Sequence, residues 1–353
     1  MTAARESWAS VGADEWNALA LRRPTPFLTH EWITAWEAAY GGAGLRHVVL
    51  RDADGALRAG ASIERDHPWL LSAAANDHSG VWDVVARDMG ARREAWERIA
   101  DLGAARVRFP GMFGDPDSAG AAARALHDRG YRLVREDGPR GPVMQLAPDW
   151  DAQLRRVSRN LRSQLGRRRR ALERHAPLVF RTVTGGDELD AELDCLFELE
   201  GSGWKRRAGT AILSDPRSEQ LYRSFAHAAA RRGWLRVHLL EVGGRPVAGD
   251  LSCVLDGVAF LLKTGYAEDG GLARLSPGLV LRGEAVRHYI EEGLAGYDLG
   301  GGADRYKLRW TDTVLPRVTL TGYRGAALAP LAYRKRVRPL LKAARDLTRV
   351  QAA

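Results

Sequence analysis

Cysteine is nearly missing from this chain. Its 353 residues hold two, Cys195 and Cys253, both in apolar surroundings. No CxxC and no Cys/His spacing occurs, so neither a disulfide framework nor a zinc site is expected, and a reducing, cytoplasmic setting fits. No run of about 18 apolar residues is present, which excludes a membrane-spanning helix from the expectation. The opening MTAARESWAS has no apolar core and does not read as a signal peptide. Lysine is scarce too: five (Lys205, Lys263, Lys307, Lys335, Lys342) stand beside 48 arginines. Heavy use of arginine, alanine and glycine points to GC-rich coding, which lowers the information in any single arginine. A lysine kept against that background suggests a need for a compact ammonium that a planar guanidinium does not meet.

The rest is ordinary for a globular protein, 45% hydrophobic and 27% charged, and long enough for two domains. The net charge of +9 admits nucleic acid, anionic membrane or phosphorylated ligands as partners. Hydrophobic periodicity places a helix from Thr29, a plausible N-cap, through Trp32, Ile33, Trp36 and Tyr40. Strands at 45–50 and 57–63 flank the turn Asp52-Ala53-Asp54-Gly55. An apolar run from Trp69 leads to Asn76-Asp77-His78, which reads either as a polar cluster at a cleft edge or as a surface turn. Further helices and strands complete an α+β unit ending at residue 146.

A second unit spans 147–326. It opens on one long arginine-rich helix from Trp150 to His175, with Leu154, Val157, Leu161, Leu165 and Leu172 on its apolar side. A helix capped by Asp187 runs to Trp204. Asp215 and Pro216 start another. Strands follow at 234–242, 247–255 and 258–266, then a helix from Ser276-Pro277-Gly278. A strand at 295–299 carries Asp298 and breaks into Gly300-Gly301-Gly302. Bare backbone and polar side chains at the end of a strand suit a ligand better than they suit packing. Residues 327–353 form a basic tail that could pack on the domain or touch anionic lipid. His238 and His288 sit in apolar patterns and read as core.

The motifs Gly203-Trp204-Lys205, Gly243-Gly244-Arg245-Pro246-Val247-Ala248-Gly249, Lys263, Tyr266, Ser276-Pro277-Gly278, and Tyr297-Asp298-Leu299-Gly300-Gly301-Gly302 followed by Tyr306-Lys307, resemble the CelD-like or BioF2-like branch of the GNAT acyltransferase superfamily. That branch is related to the FemAB peptidoglycan aminoacyl transferases. The resemblance covers most of residues 25–325 and rests on the order and spacing of motifs that are individually loose. It implies an α/β (α+β) protein of two tandem GNAT-like domains, each a mixed, mostly antiparallel sheet flanked by helices. Only the second is expected to bind acyl-CoA, with acetyl-CoA the first choice and no metal.

The family's pyrophosphate-binding pattern falls on Arg274, Ser276, Pro277 and Gly278, with proline in place of the first glycine. Amides at a helix start favour an anion, although Ser276 and Pro277 also make a good helix start without one. For acyl transfer to an amine, Asp298 is the candidate base, and its alternative is a carboxylate that only accepts amides of the glycine turn. Tyr306 could protonate a leaving thiolate. Lys307 and Lys263 could hold a phosphate or carboxylate, or pair with Asp298 or Asp304. Trp204, Lys205, Tyr266, Asp77 and His78 are the remaining acceptor-side candidates. Two other readings stay open: an aminoacyl-tRNA-dependent transferase, and a non-catalytic module that grips RNA or an anionic polymer through the arginine-rich helix. No sustained heptads mark the coiled-coil hairpin that some FemAB proteins carry.

Overall fold

The computed structural model describes residues 8–268 and 271–329; most of the basic tail expected at 327–353 lies outside them. In chain order the first half holds α1 (Ala13–Ala20), α2 (His30–Tyr40), β1 (Leu45–Arg51), β2 (Leu57–His67), β3 (Leu70–Ala73), β4 (Val85–Ala86), α3 (Met89–Asp101), β5 (Arg106–Phe113), α4 (Ala121–Asp128), β6 (Arg132–Asp137) and β7 (Gly141–Gln145). The second holds α5 (Trp150–Arg156), α6 (Arg159–His175), β8 (Leu178–Val183), α7 (Leu189–Gly201), α8 (Trp204–Arg207), α9 (Pro216–Arg231), β9 (Leu235–Val242), β10 (Arg245–Leu255), β11 (Val258–Tyr266), α10 (Pro277–Glu291), β12 (Gly296–Asp298), β13 (Val314–Leu315) and β14 (Arg317–Tyr323).

These strands make two mixed, seven-stranded sheets. The first has the order β1-β2-β3-β5-β14-β6, with β4 on β2; the second runs β13-β7-β12-β11-β10-β9-β8. The two sheets repeat one motif. In the first, β3 and β5 are parallel neighbours joined through α3; in the second, β11 and β12 are parallel neighbours joined through α10. All other pairs are antiparallel. The halves also trade strands. β7, from the first half of the chain, pairs with β12, and β14, from the second, lies between β5 and β6. The sheets therefore do not divide at residue 146, because each is completed by a strand from the other side of that point.

Local chemistry explains several departures from the sequence reading. The helix expected over 150–175 breaks at Val157, whose backbone is extended, and Ser158 then caps α6 by accepting the Leu161 amide. Asp187 caps nothing: α7 begins at Leu189 and ends at Gly201, and residues 204–207 form a separate turn. Thr29 and Asp215 do cap their helices, accepting the amides of Trp32 and Arg217. Ser276 starts α10 in the left-handed region at φ 57°, with no side-chain cap.

The second sheet has two apolar faces. On one, Leu193, Leu196 and Phe197 of α7 and Leu221 and Phe225 of α9 cover Leu239, Leu251 and Phe260, and Trp32 and Trp36 of α2 join the same cluster. On the other, Ala285, Val286 and Tyr289 of α10 and Leu161 and Leu165 of α6 cover Ala259, Leu261, Tyr297 and Leu299.

Candidate active site at the parting of β11 and β12

β11 and β12 pair over only three positions, Val258 with Gly296, Ala259 with Tyr297 and Phe260 with Asp298. Beyond Phe260 the strands part. β11 runs on to Tyr266, and its register with β10 shifts at Leu262, a one-residue bulge that turns the strand away. β12 leaves through Gly300 and Gly301, at φ 61° and 55°. A Cβ on Gly300 would lie 2.4 Å from the Leu261 carbonyl oxygen, so only glycine lets the two backbones approach there. The buried Lys307 fastens the turn, its Nζ donating to the Gly300 carbonyl at 2.6 Å and pairing with Asp304 at 3.5 Å. Gly300→Ala is expected to cost about 1–3 kcal/mol of unfolding free energy through strain and collision. Urea denaturation checks it, and an unchanged midpoint would mean that the turn tolerates a side chain.

On the α10 side of the opening, Tyr266 packs on Gly278, where an added Cβ would meet the ring at 3.3 Å. Arg274 is exposed, and its carbonyl accepts from Arg168 of α6 at 2.9 Å. No carboxylate caps the start of α10; Pro277 has no amide hydrogen and the Leu279 and Val280 amides turn back to the Ser276 carbonyl at 3.0 and 3.4 Å, which leaves the Gly278 amide as the one first-turn donor without a partner among the described residues. Its counterpart in the first sheet differs: Asp88 caps α3, accepting the Ala91 amide at 2.8 Å. One repeat supplies its own anion at the helix start and the other leaves the place open. The left-handed Ser276, costly for a non-glycine residue, is the local strain that accompanies the open start.

Along β12, Tyr297 and Leu299 point to the α10 side, so Asp298, in register with Phe260, points to the α7 side. Its carboxylate accepts the Gly300 amide at 2.8 Å and lies 4.0 Å from Arg317. Desolvation raises its pKa, opposed by the Gly300 hydrogen bond and the charges of Arg317 and Lys307. Asp298 thus braces the glycine turn through its carboxylate while burial holds its pKa above the ordinary carboxylate value. Tyr306 is exposed, with Lys307 Nζ 5.6 Å from its ring centre.

A second polar cluster lies on the same α7 side. Glu200, fully buried at the end of α7, accepts Lys205 Nζ at 3.0 Å and the Ile212 amide at 2.9 Å, with Lys263 Nζ 4.0 Å away. Lys263 pairs with neither Asp298 nor Asp304. It sits 5.0 Å over the Tyr222 ring, and the Tyr222 hydroxyl meets His78 Nδ1 at 3.3 Å. Desolvation pulls Lys263 down to about 8, against the attraction of Glu200, and burial pulls His78 down to about 4. His78 is therefore neutral at pH 7. Lys205, Lys263 and His78 come together here. Asp77 is exposed on the rim, and Tyr266 belongs to the α10 side.

Sequence reasoning passed over Glu200, Tyr222 and Arg317. It also passed over the buried Arg282–Asp250 pair at 2.8 Å beneath α10, where Arg282 reaches the Tyr297 hydroxyl as well. Acids and tyrosines on apolar helix faces were the one signal available for the first two. His238 is core, as its pattern suggested, held between Thr182 and the Tyr289 hydroxyl at 2.9 Å each. Among the described residues no cluster of histidine, cysteine and carboxylates is fit to hold a metal, and no helix is long and apolar enough to cross a membrane.

Residues 159–308 match the family described as acetyltransferase (GNAT) domain. No curated protein matches the sequence. Among solved structures, FemX aligns over 91% of this chain and 98% of its own at 12% identity and a TM-score of 0.60. The C-terminal domain of a protein described as a lysylphosphatidylglycerol synthetase, from Agrobacterium fabrum, covers 92% and 95% at 15% identity and 0.58. L-PGS from Bacillus licheniformis covers 86% and 94% at 13% identity and 0.52. At these identities the likeness is one of fold, and it extends over both sheets.

Proposed function

We propose that this chain is an acyltransferase of the GNAT superfamily, a reading supported by the match of residues 159–308 to the acetyltransferase (GNAT) domain, and that it transfers an acyl group from acyl-CoA, acetyl-CoA first, to an amine on an amino sugar or a cell-envelope precursor in the cytoplasm. The observation that carries this reading is the open helix start of α10 beside the parted strands β11 and β12, set against the carboxylate-capped α3 of the first repeat. Arg274, Ser276 and the Gly278 amide would hold the pyrophosphate, and the open edge of β11 past Phe260 would take the pantetheine arm. When bound, the thioester supplies an activated acyl carbon. The β11 amides that face away from β10 polarise its carbonyl.

Asp298 takes the proton of the attacking amine, directly or through water, and Tyr306 donates to the departing thiolate. Lys307 holds Gly300 and so keeps the strands apart. On the α7 side, Lys263, Lys205 and His78, with Asp77 at the rim, receive the acceptor. The partly desolvated lysines suit an acceptor that carries a carboxylate or phosphate near its amine. Attack is direct in a ternary complex: Cys253 is buried with its thiol pushed far up, and Cys195 is raised as well, so neither is an activated nucleophile. The first sheet, β1 to β6 with β14 added, buttresses the acceptor side.

Saturating acetyl-CoA is expected to raise the melting temperature by a few degrees. Gly278→Glu, which sets a carboxylate at the start of α10, should abolish the rise. No stabilisation by any acyl-CoA at millimolar concentration would sink the reading.

One observation favours a different donor. Arg159, Arg162, Arg167, Arg170 and Arg174 are exposed on α6, opposite its buried leucines, with no carboxylate partner among the described residues. Arg168 and Arg169 join that helix to Arg274 and Glu284 beside the donor site. An aminoacyl-tRNA would use such a face. Salt-sensitive tRNA binding together with transfer from aminoacyl-tRNA would establish that reading, and RNA binding with no turnover would establish a binding module.

A further inference from the structure

We propose that Arg317 is a positioning residue for Asp298, delivered to the second sheet's site by a strand of the first. The inference rests on the reading of Asp298 as the base. β14 begins at Arg317, and β14 is the exchanged strand, paired with β5 and β6. The side chain is buried, 7% exposed, with its guanidinium 4.0 Å from the Asp298 carboxylate and 4.6 Å over the ring of Phe113. Arg23 lies over the same ring at 3.6 Å.

The charged groups that act on Arg317 include Asp298, Arg23, Asp115 and Asp83. Two of the carboxylates are already taken. Asp115 pairs with Arg23, and Asp83 pairs with Arg92 at 3.2 Å and accepts from Ser118. That leaves Asp298 as the carboxylate for which Arg317 is the principal countercharge. Around Asp298 the other favourable groups are the Gly300 amide and Lys307, both from the turn after β12. Lys307 is committed to the Gly300 carbonyl and Asp304. Among the described residues Arg317 is thus the one cation that reaches Asp298 from outside its own turn, and its ring contact with Phe113 fixes where that charge sits. In this arrangement the first sheet sets the pH at which the second sheet's base is ionised.

The test is a carboxyl-carbon NMR titration of the full chain labelled at aspartate, with the Asp298 signal assigned by Asp298→Asn. Arg317→Gln is expected to raise the Asp298 midpoint by about one pH unit, because an attractive charge at this range holds a carboxylate down by that order. Arg317→Lys keeps the charge and should recover at least half of the shift, which a packing role alone would not do. Circular dichroism confirms that each variant is folded. Should Arg317→Gln fail to fold, Phe113→Leu unseats the guanidinium without removing a charge and should raise the midpoint by a smaller amount. An unmoved midpoint in a folded Arg317→Gln protein overturns the proposal and leaves the Asp298 reading intact. Acetylation of glucosamine by Asp298→Asn at the wild-type rate overturns that reading, and the positioning role with it.

Discussion

Asp298→Asn is expected to lower kcat by about 10²–10⁴-fold, the usual worth of a positioned general base. The amide keeps the volume of the carboxyl, and its oxygen can still accept the Gly300 amide that Asp298 accepts at 2.8 Å. The turn should therefore survive and the loss should be chemical. Stability gives an independent check with a defined sign. Desolvation raises the folded-state pKa of Asp298, so the folded chain holds this proton to a higher pH than the unfolded chain does. The contribution of Asp298 to stability is then present below the unfolded value and is lost as pH rises through the folded one. At neutral pH the asparagine variant should melt at or above the wild-type temperature while turning over far more slowly. A variant that melts much lower and loses activity in proportion would mark Asp298 as structural only.

Glu200→Ala carries the largest expected effect on stability, about 3–5 kcal/mol, the cost of removing one member of a buried ion pair. The fully buried carboxylate answers Lys205 and the Ile212 amide directly and Lys263 at 4.0 Å. Its removal leaves the Ile212 amide unsatisfied and two ammonium groups facing each other. The backbone leaves little room to adjust, since a Cβ on Gly265 would lie 2.3 Å from the Glu200 nitrogen, which shows how closely α7 is pressed on β11. Glu200→Gln should cost less, because its amide oxygen can still accept from Ile212. Urea denaturation of both variants measures the difference, and a loss below about 1 kcal/mol in the alanine variant would show that the lysines find water instead.

Much of this architecture was legible in the residues. The caps at Thr29 and Asp215, the hairpin turn at Asp52-Ala53-Asp54-Gly55, the strand ending in three glycines and the helix start at Pro277 follow from turn and cap chemistry, which acts over a few residues. What stayed hidden is long-range. Nothing near Gly141 tells that β7 will sit beside β12, or near Arg317 that β14 will enter the other sheet, because a strand's pattern records that it is buried and not beside which neighbour. The break at Val157–Ser158 was masked by leucines that keep helical spacing across it. Among candidate site residues, Asp298 was suggested by the glycine turn beside it. Glu200 and Arg317 act across the fold, and no local motif announces them.

The strand exchange also constrains the order in which the chain can be built. During synthesis, residues 1–137 emerge with every strand of the first sheet except one, and the gap between β5 and β6 stays open until Arg317–Tyr323, about 180 residues later, leaves the ribosome. Until then both strands expose unpaired edges, a standing risk of misassociation. A chain cut at residue 146 would strand β7 on the wrong fragment and deprive the first sheet of β14, so neither half should fold when expressed alone. Mixing the two fragments gives each access to the strand it lacks.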